Sequence, residues 1–419
     1  MKHSSFKLSA AIFAVGVCAF SSLASAQEIT IQALDKNFQP IVDDFMAANP
    51  GTKVNLEVVS YQSIAESLPV QLASGEGPDI SLVTDLGGLS KYYLDIRPYV
   101  DNAYFETQFG QVLNWLRGKD GDPKAIYGLP DSITVNGGFV NVTLFEQAGI
   151  DLPKEGATWE EWGKAAKAVA KATNTDFPME MDRSGHRFAS MAISYGAKLV
   201  DDEGMPVIDD GLRKAIEQFV EWHRDGTMPM DLWGAVGGST MRDQFDDFVN
   251  AAAVFYFGGS WQLRRLDSEV GDFFEFKVVD APCGGSSCTV MPGGGAYAGF
   301  KHTKEPELVG KFLAFAAEDV NLRRLIASAV NIPTAKSMID SGIEYPGVSA
   351  KVQEGLSTFI RQIPKMAPAA YNFQGWAFER AMMNALTTRI SQVLNNEMDV
   401  DTALERIDQD VRLAIEAAK

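Results

Sequence analysis

Cysteine and histidine are scarce in this chain, with 3 and 4 among 419 residues. Neither HExxH nor CxxC occurs, so the usual ways of building a catalytic or structural zinc site are excluded, and the GxSxG turn of a serine hydrolase is missing too. Positive charge is also short: 37 Lys and Arg stand against 55 Asp and Glu, a net charge of −18, and no basic run follows the first ten residues. Nucleic acid and anionic lipid are bound by clustered cations that release counterions, so neither is an expected partner. Beyond residue 26 no apolar run approaches the roughly 20 residues that cross a bilayer.

What is present is an ordinary globular composition, 46% hydrophobic and 22% charged. At roughly 100 to 200 residues per domain the length predicts two or three domains, with cores large enough to need no metal.

The first 26 residues read as a secretory signal. Lys2, His3 and Lys7 form a basic start, Leu8 to Phe20 is apolar, and Ala24-Ser25-Ala26 is a small-x-small cleavage site before Gln27. Export to the periplasm with cleavage after Ala26 is expected. Val17 is too large for a lipoprotein site at Cys18. Removing the segment takes 37 basic residues to 35 against 55 acidic ones, so the charge deepens from −18 to −20. The two cysteines that remain, Cys283 and Cys288, are four residues apart in Cys-Gly-Gly-Ser-Ser-Cys, which in an exported chain predicts a disulfide clipping a short loop.

The hydrophobic period then alternates. Ile29, Ile31 and Ala33 follow a strand's period of two; Phe38, Ile41, Val42 and Phe45 follow a helix; Val54 to Val59 is strand-like again. Tyr61 to Ser74 predicts a helix ending at Gly75, before a buried strand at Asp79 to Val83. This rhythm predicts a mostly parallel sheet covered by helices. Tyr127-Gly128-Leu129-Pro130 breaks it, and Ile133 to Asn141 reads as a β-rich crossing between lobes. Thr158 and Glu161 form a capping box for a helix through about Ala172; Leu212, Ile216, Phe219 and Val220 mark another helix, and Leu404, Ile407, Val411 and Ala414 a last one. Pro292 to Gly295 and Asn331 to Thr334 read as turns that return the chain to the first lobe and back.

Several of these segments occur in a recognisable order. Gly77-Pro78-Asp79-Ile80 is followed by Ile126-Tyr127-Gly128-Leu129-Pro130, by Leu144 to Ile150 leading to Thr158-Trp159, and by Ala251 to Val254 before Gly258-Gly259-Ser260-Trp261. Met291 to Gly295 and Asn331-Ile332-Pro333 complete the series. In this order they resemble the family 1 extracellular solute-binding proteins of ABC importers, the maltose-binding-protein-like sugar receptors, over essentially residues 27 to 419.

The resemblance implies an α/β periplasmic binding protein fold of the class II type, with two lobes, hinge strands and a cleft between the lobes. Residues 27–136 with about 291–332 would form the first lobe, and 137–290 with about 333–419 the second. It implies capture of a carbohydrate by hinge closure, delivery to the membrane permease, a monomer, no cofactor and no catalytic residue. A polyamine or other small solute is the alternative ligand class. A secreted glycoside hydrolase is the alternative activity, since 55 acids cannot be searched by spacing for a catalytic pair.

Ligands of open α/β sheets lie outside the carboxyl ends of strands, so contact residues are sought there. Asp35 and Lys36 follow the first strand where the family carries a hydroxyl-binding acidic and basic pair, and Thr84 and Asp85 follow the third where it carries another carboxylate. The resemblance also assigns stacking surfaces to Trp261 and Trp376. A sugar's C–H face packs on indole while its hydroxyl rim needs charged or amide partners. Tyr61 is either a contact or a helix-start aromatic, and Asp131 and Ser132 are either contacts at the crossing or a turn cap. Gly294, within Gly293 to Gly295, either bares a backbone N–H to the ligand or allows a turn. Trp233 sits in the segment Met230 to Gly238, which offers no regular element to pack into. Arg361 either meets an anionic substituent or makes a surface ion pair. Trp159, Trp162 and Trp222 read as packing residues.

Overall fold

A computed structural model describes residues 27–118, 121–234 and 244–419; the expected signal segment and the second half of the segment Met230 to Gly238 fall outside these residues. Eleven strands occur among them: β1 Gln27–Ala33, β2 Thr52–Val58, β3 Ile80–Val83, β4 Gly128–Asn141, β5 Phe177–Met181, β6 Leu199–Val200, β7 Pro206–Val207, β8 Ala253–Gly259, β9 Phe276–Val279, β10 Pro292–Gly299 and β11 Ile332–Pro333. No helix among the described residues is long and apolar enough to cross a membrane.

Nine of the strands are joined in one path, β2-β1-β3-β10-β4-β8-β5, with β11 and β9 also on β4. β2, β1 and β3 are parallel, as the alternating period predicts, with Ile31 opposite Ile80. β10 enters antiparallel between β3 and β4. The 14-residue strand β4 changes partners along its length. Through Val135 it pairs with β10 and β11, and from Asn136 it pairs with β8 and β9. β5 then lies parallel to β8.

Three expectations need correction here. Pro292–Gly299 is a strand, and Ile332–Pro333 a short one, where turns were expected. Glycines without side chains let β10 run close between two neighbours. At Gly294, with φ of 114°, a Cβ would stand 2.6 Å from Ser132 O. Nor do Gly128 to Pro130 interrupt the chain; they begin β4. Proline is tolerated there because the register slips: Leu129 pairs with Tyr297 and Ser132 with Gly295, so Pro130 and Asp131 oppose Ala296 alone. This is a β-bulge, where a missing N–H costs no ladder bond and a side chain is re-aimed.

The helices follow their sequence signals more closely. Gln39–Ala48 buries Ile41, Val42 and Phe45. The expected helix from Tyr61 to Ser74 is helical throughout, with a π-type segment at Ser63–Ser67 before Leu68–Ser74, where Pro69 has no N–H to return to the preceding turn. Its left-handed cap at Gly75 is as read. Thr158 Oγ1 accepts from Glu161 N while Glu161 Oε2 accepts from Thr158 N, closing the capping box of Trp159–Thr173. Trp159, Trp162 and Trp222 are all buried, with Trp159 against Phe257 and Trp162 against Phe255.

Cys283 and Cys288 are bonded. Their loop does more than close on itself: Ser286 N and Ser287 N both donate to Ser194 O at 3.0 Å, and Trp159 N donates to Cys283 O at 3.0 Å. The crosslink holds the loop against the starts and ends of two helices.

Candidate functional site

The parallel strands β1, β2 and β3 end side by side, which fixes one edge of the site. The Ile31–Ile80 register puts Asp35 and Lys36 beside Thr84 and Asp85, with Tyr61 just past β2. The bulge carries Asp131 to the same edge: the Asp35 charge acts on both the Asp131 carboxyl and the Tyr297 phenol. Ser132 lies next to Asp131 and pairs with Gly295 and Pro333. Gly294 pairs with Ile133, so it serves close approach of strands rather than a loop.

The acids on this edge are poorly satisfied. Asp131 is 5% exposed, its Oδ1 has no partner, and burial, with Asp35 adding, pushes its carboxyl up to about 7. Asp85 is also raised by burial, against the opposing pull of Arg380, and its Oδ1 accepts from Gly88 N at 3.1 Å. Buried polar groups without partners are rare enough to need a reason, and a ligand supplies one.

A second group of side chains faces this edge. Arg380 opens the helix Glu379–Leu394 near Tyr61, with a long contact of 3.5 Å from Nη2 to Thr84 Oγ1. Arg187, in the helix Gly185–Ser194 after β5, is held by two bonds to Asp182 and lies over the Trp261 ring with Cζ 4.8 Å from its centroid. Trp261 is 40% exposed and Tyr61 54%. The Gly-Gly-Ser bend is what presents the indole: a Cβ on Gly259 would fall 1.8 Å from the ring. Glu379 beside them is buried, its Oε1 lacks a partner, and burial, reinforced by the Asp85 charge, drives its carboxyl far above the usual range.

His186 pins the crossing. Its Nδ1 lies 3.2 Å from Asn136 Nδ2, which only donates, so Nε2 carries the hydrogen and gives it to Pro292 O at 3.0 Å and Gln374 Oε1 at 3.2 Å. Burial, with the positive charge of Arg187 adding, pulls this imidazole down to about 4, so it stays neutral.

Two expected contacts lie elsewhere. Trp233 is 0% exposed: its indole N–H donates to Met181 O at 3.0 Å and its ring packs against Phe219 and Phe188. Met230–Trp233 is a helical turn, so the regular element that seemed missing is there. Arg361 bonds Asp280 at 2.9 Å on the face of Ala350–Gln362, the ion-pair alternative. Trp376 is a mixed case. One turn before Arg380, it is 7% exposed, donates to Gly204 O at 3.1 Å, and lines a cavity of about 490 Å³ with Trp115 and Tyr371.

Arg187, Arg380, His186 and Glu379 were missed. Arg187 and His186 lie in the loop and helix after β5, where the rule about strand ends would have found them had Phe177–Met181 been read as a strand. No group of three or more His, Cys, Asp or Glu able to hold a metal occurs among the described residues.

The profile of the bacterial extracellular solute-binding proteins matches residues 30–321. The chain belongs to this family. An arabinooligosaccharide-binding protein of Bacillus subtilis is 25% identical over 279 residues, covering 63% of this chain but only 61% of that protein. A maltodextrin-binding protein of the same organism is 24% identical over 410 residues, covering 89% of this chain and 91% of its own length. Among solved structures, the GacH receptor of Streptomyces glaucescens superposes with a TM-score of 0.75 at 16% identity, covering 92% of this chain and 98% of that one. Maltose-bound MalE3 of T. maritima gives 0.73 at 17% identity, covering 93% and 100%. The fold is accordingly the two-lobed periplasmic binding protein fold around a central mixed sheet, and family membership places the protein outside the cytoplasm.

Proposed function

We propose that the protein is the substrate-capturing component of an ABC importer, closing about its hinge on a carbohydrate and delivering it to the permease. In this reading residues 27–136 with about 291–332 form one lobe, 137–290 with about 333–419 the other, and the mature chain begins at Gln27. The observation that carries it is the pairing of a row of carboxylates, Asp35, Asp85 and Asp131, with exposed aromatic faces at Tyr61 and Trp261. Carboxylates accept hydroxyl protons, while indole covers the apolar face of a sugar ring. The relatives named for arabino-oligosaccharides and maltodextrins support the same ligand class.

Closing such a cleft excludes water, so each ligand hydroxyl must find a partner inside, and the orphan oxygens of Asp131 and Glu379 are suited to supply them. The guanidiniums of Arg187 and Arg380 disfavour a polyamine, which they would repel. The role is binding without turnover, by a monomer. Calorimetry against a panel of saccharides, with product analysis, tests it: heat of binding with unchanged ligand is expected. Hydrolysis of any glycoside would replace a carrier by an enzyme, and silence across the panel would remove the sugar.

A further inference from the structure

Hydrogen-bonding capacity is segregated across the site. The strand-end edge is dominated by acceptors, the carboxyls of Asp35, Asp85 and Asp131, with Lys36 beside them and Arg380 reaching Thr84 from the other side. The opposite corner is dominated by donors. Arg187 lies over Trp261, Arg380 reaches Thr84 Oγ1 at 3.5 Å, and both act electrostatically on Tyr61 and on His186. Trp261 lies beneath Arg187 as a wall.

These donors are not used up. Asp182 takes Nε and Nη2 of Arg187, leaving Nη1 without a partner among the described residues. Arg380 makes one long bond, to Thr84, and its Nε is buried without an acceptor. Asp85 acts on Arg380 electrostatically and also accepts from Gly88 N, and burial pushes the neighbouring Glu379 carboxyl well up, but neither carboxyl accepts from the Arg380 Nε. A guanidinium has no lone pair with which to take a hydroxyl proton. A neutral sugar in this corner would be accepting at every oxygen with few acceptors left for its own O–H groups. A planar or tetrahedral anion uses several N–H donors at once and has no proton to place.

Resting on the carbohydrate reading, we propose that the ligand is a sugar bearing an anionic substituent, held between Arg187 and Arg380 with its hydroxyls turned toward Asp35, Asp85 and Asp131. The shared chemistry is an oxyanion on a polyol, and its source is a carboxylate, a phosphate or a sulfonate. Arg380 selects for that charge, and Trp261 and Tyr61 flank the ring that carries it.

Matched pairs test this by calorimetry on the full mature chain: glucose with glucuronate, galactose with galacturonate, glucose with its 6-phosphate and with its 6-sulfonate, and neutral arabino- and malto-oligosaccharides. The acidic member of at least one pair should bind about tenfold tighter than its neutral partner and weaken from low to high salt. Arg380→Gln should shrink that ratio to about threefold or less, while Arg380→Lys retains part of it. Melting curves of both variants identify any loss by misfolding, in which case the lysine variant carries the comparison. Neutral members binding as well as or better than the acids overturns the anionic substituent while leaving the sugar reading intact. An undiminished ratio in Arg380→Gln overturns the assignment to this corner. Binding of no saccharide, acidic or neutral, fails the underlying carbohydrate reading, and this inference with it.

Discussion

Trp233 and Trp261 are the same residue type, each near the end of a short helical turn, and each was a candidate for the ligand. Trp233 is sealed between Phe188 and Phe219 with its N–H on a strand carbonyl. Trp261 lies 40% exposed on two glycines, under a guanidinium and across from Tyr61. The difference is in what stands next to them. An aromatic with aromatic neighbours and a backbone acceptor is complete as it is. One with a charged neighbour and an open face has surface left for a guest.

The largest effect should come from the sealed side. Trp233→Ala opens a cavity in the core and is expected to cost about 3 to 5 kcal/mol of folding stability, read by denaturant unfolding, while affinity of the folded fraction changes little. A stability loss below about 1 kcal/mol would erase the contrast between the two tryptophans.

Asp131 sharpens the comparison from the open side. Folded, its carboxyl keeps its proton to about pH 7, whereas the ordinary value is 3.8. Folding of the free protein therefore takes up a proton between those limits, and stability falls as pH rises through that window, by up to about 4 kcal/mol. Asp131→Asn is neutral throughout, so it should remove that slope and be the more stable chain above about pH 7. Parallel unfolding curves for variant and parent across the window would contradict this placement of the carboxyl.

Trp261→Ala should leave stability within about 1 kcal/mol and cost about 1.5 to 3 kcal/mol in ligand binding, the reverse of Trp233→Ala. Calorimetry with the identified ligand decides it, and a change of a few tenths would put the indole outside the site. The smallest effect belongs to Arg361→Ala. Arg361 is half exposed and Lys365 also lies 3.5 Å from the Asp280 carboxylate, so less than about 1 kcal/mol in stability and no change in affinity are expected. A large loss of binding would return Arg361 to the cleft.

Much of the fold was readable along the chain, because local rules decide it. β1, β2 and β3 follow a period of two, and the Thr158 capping box and the Gly75 cap mark helix ends through bonds made within a few residues. The strand ends that carry Asp35, Thr84 and Asp85 were legible for the same reason. What was not readable depends on partners distant in sequence. The run Gly293 to Gly295 looks like a turn until β3 and β4 close on either side of it, and Pro130 looks like a break until the bulge opposite Ala296 excuses its missing N–H. Arg187 and Arg380 are ordinary helix residues until β5 and Glu379–Leu394 bring both to Tyr61.

The periodic elements, their caps, the short disulfide loop and the acidic net charge were all written in the order and composition of the residues, since each follows from contacts or composition local to the chain. Which tryptophan is sealed and which open, which carboxyl oxygens lack partners, and which acids and phenol each guanidinium faces came from packing between distant segments. Burial and electrostatic field at a site are sums over atoms from many segments, and no single stretch of chain contains them.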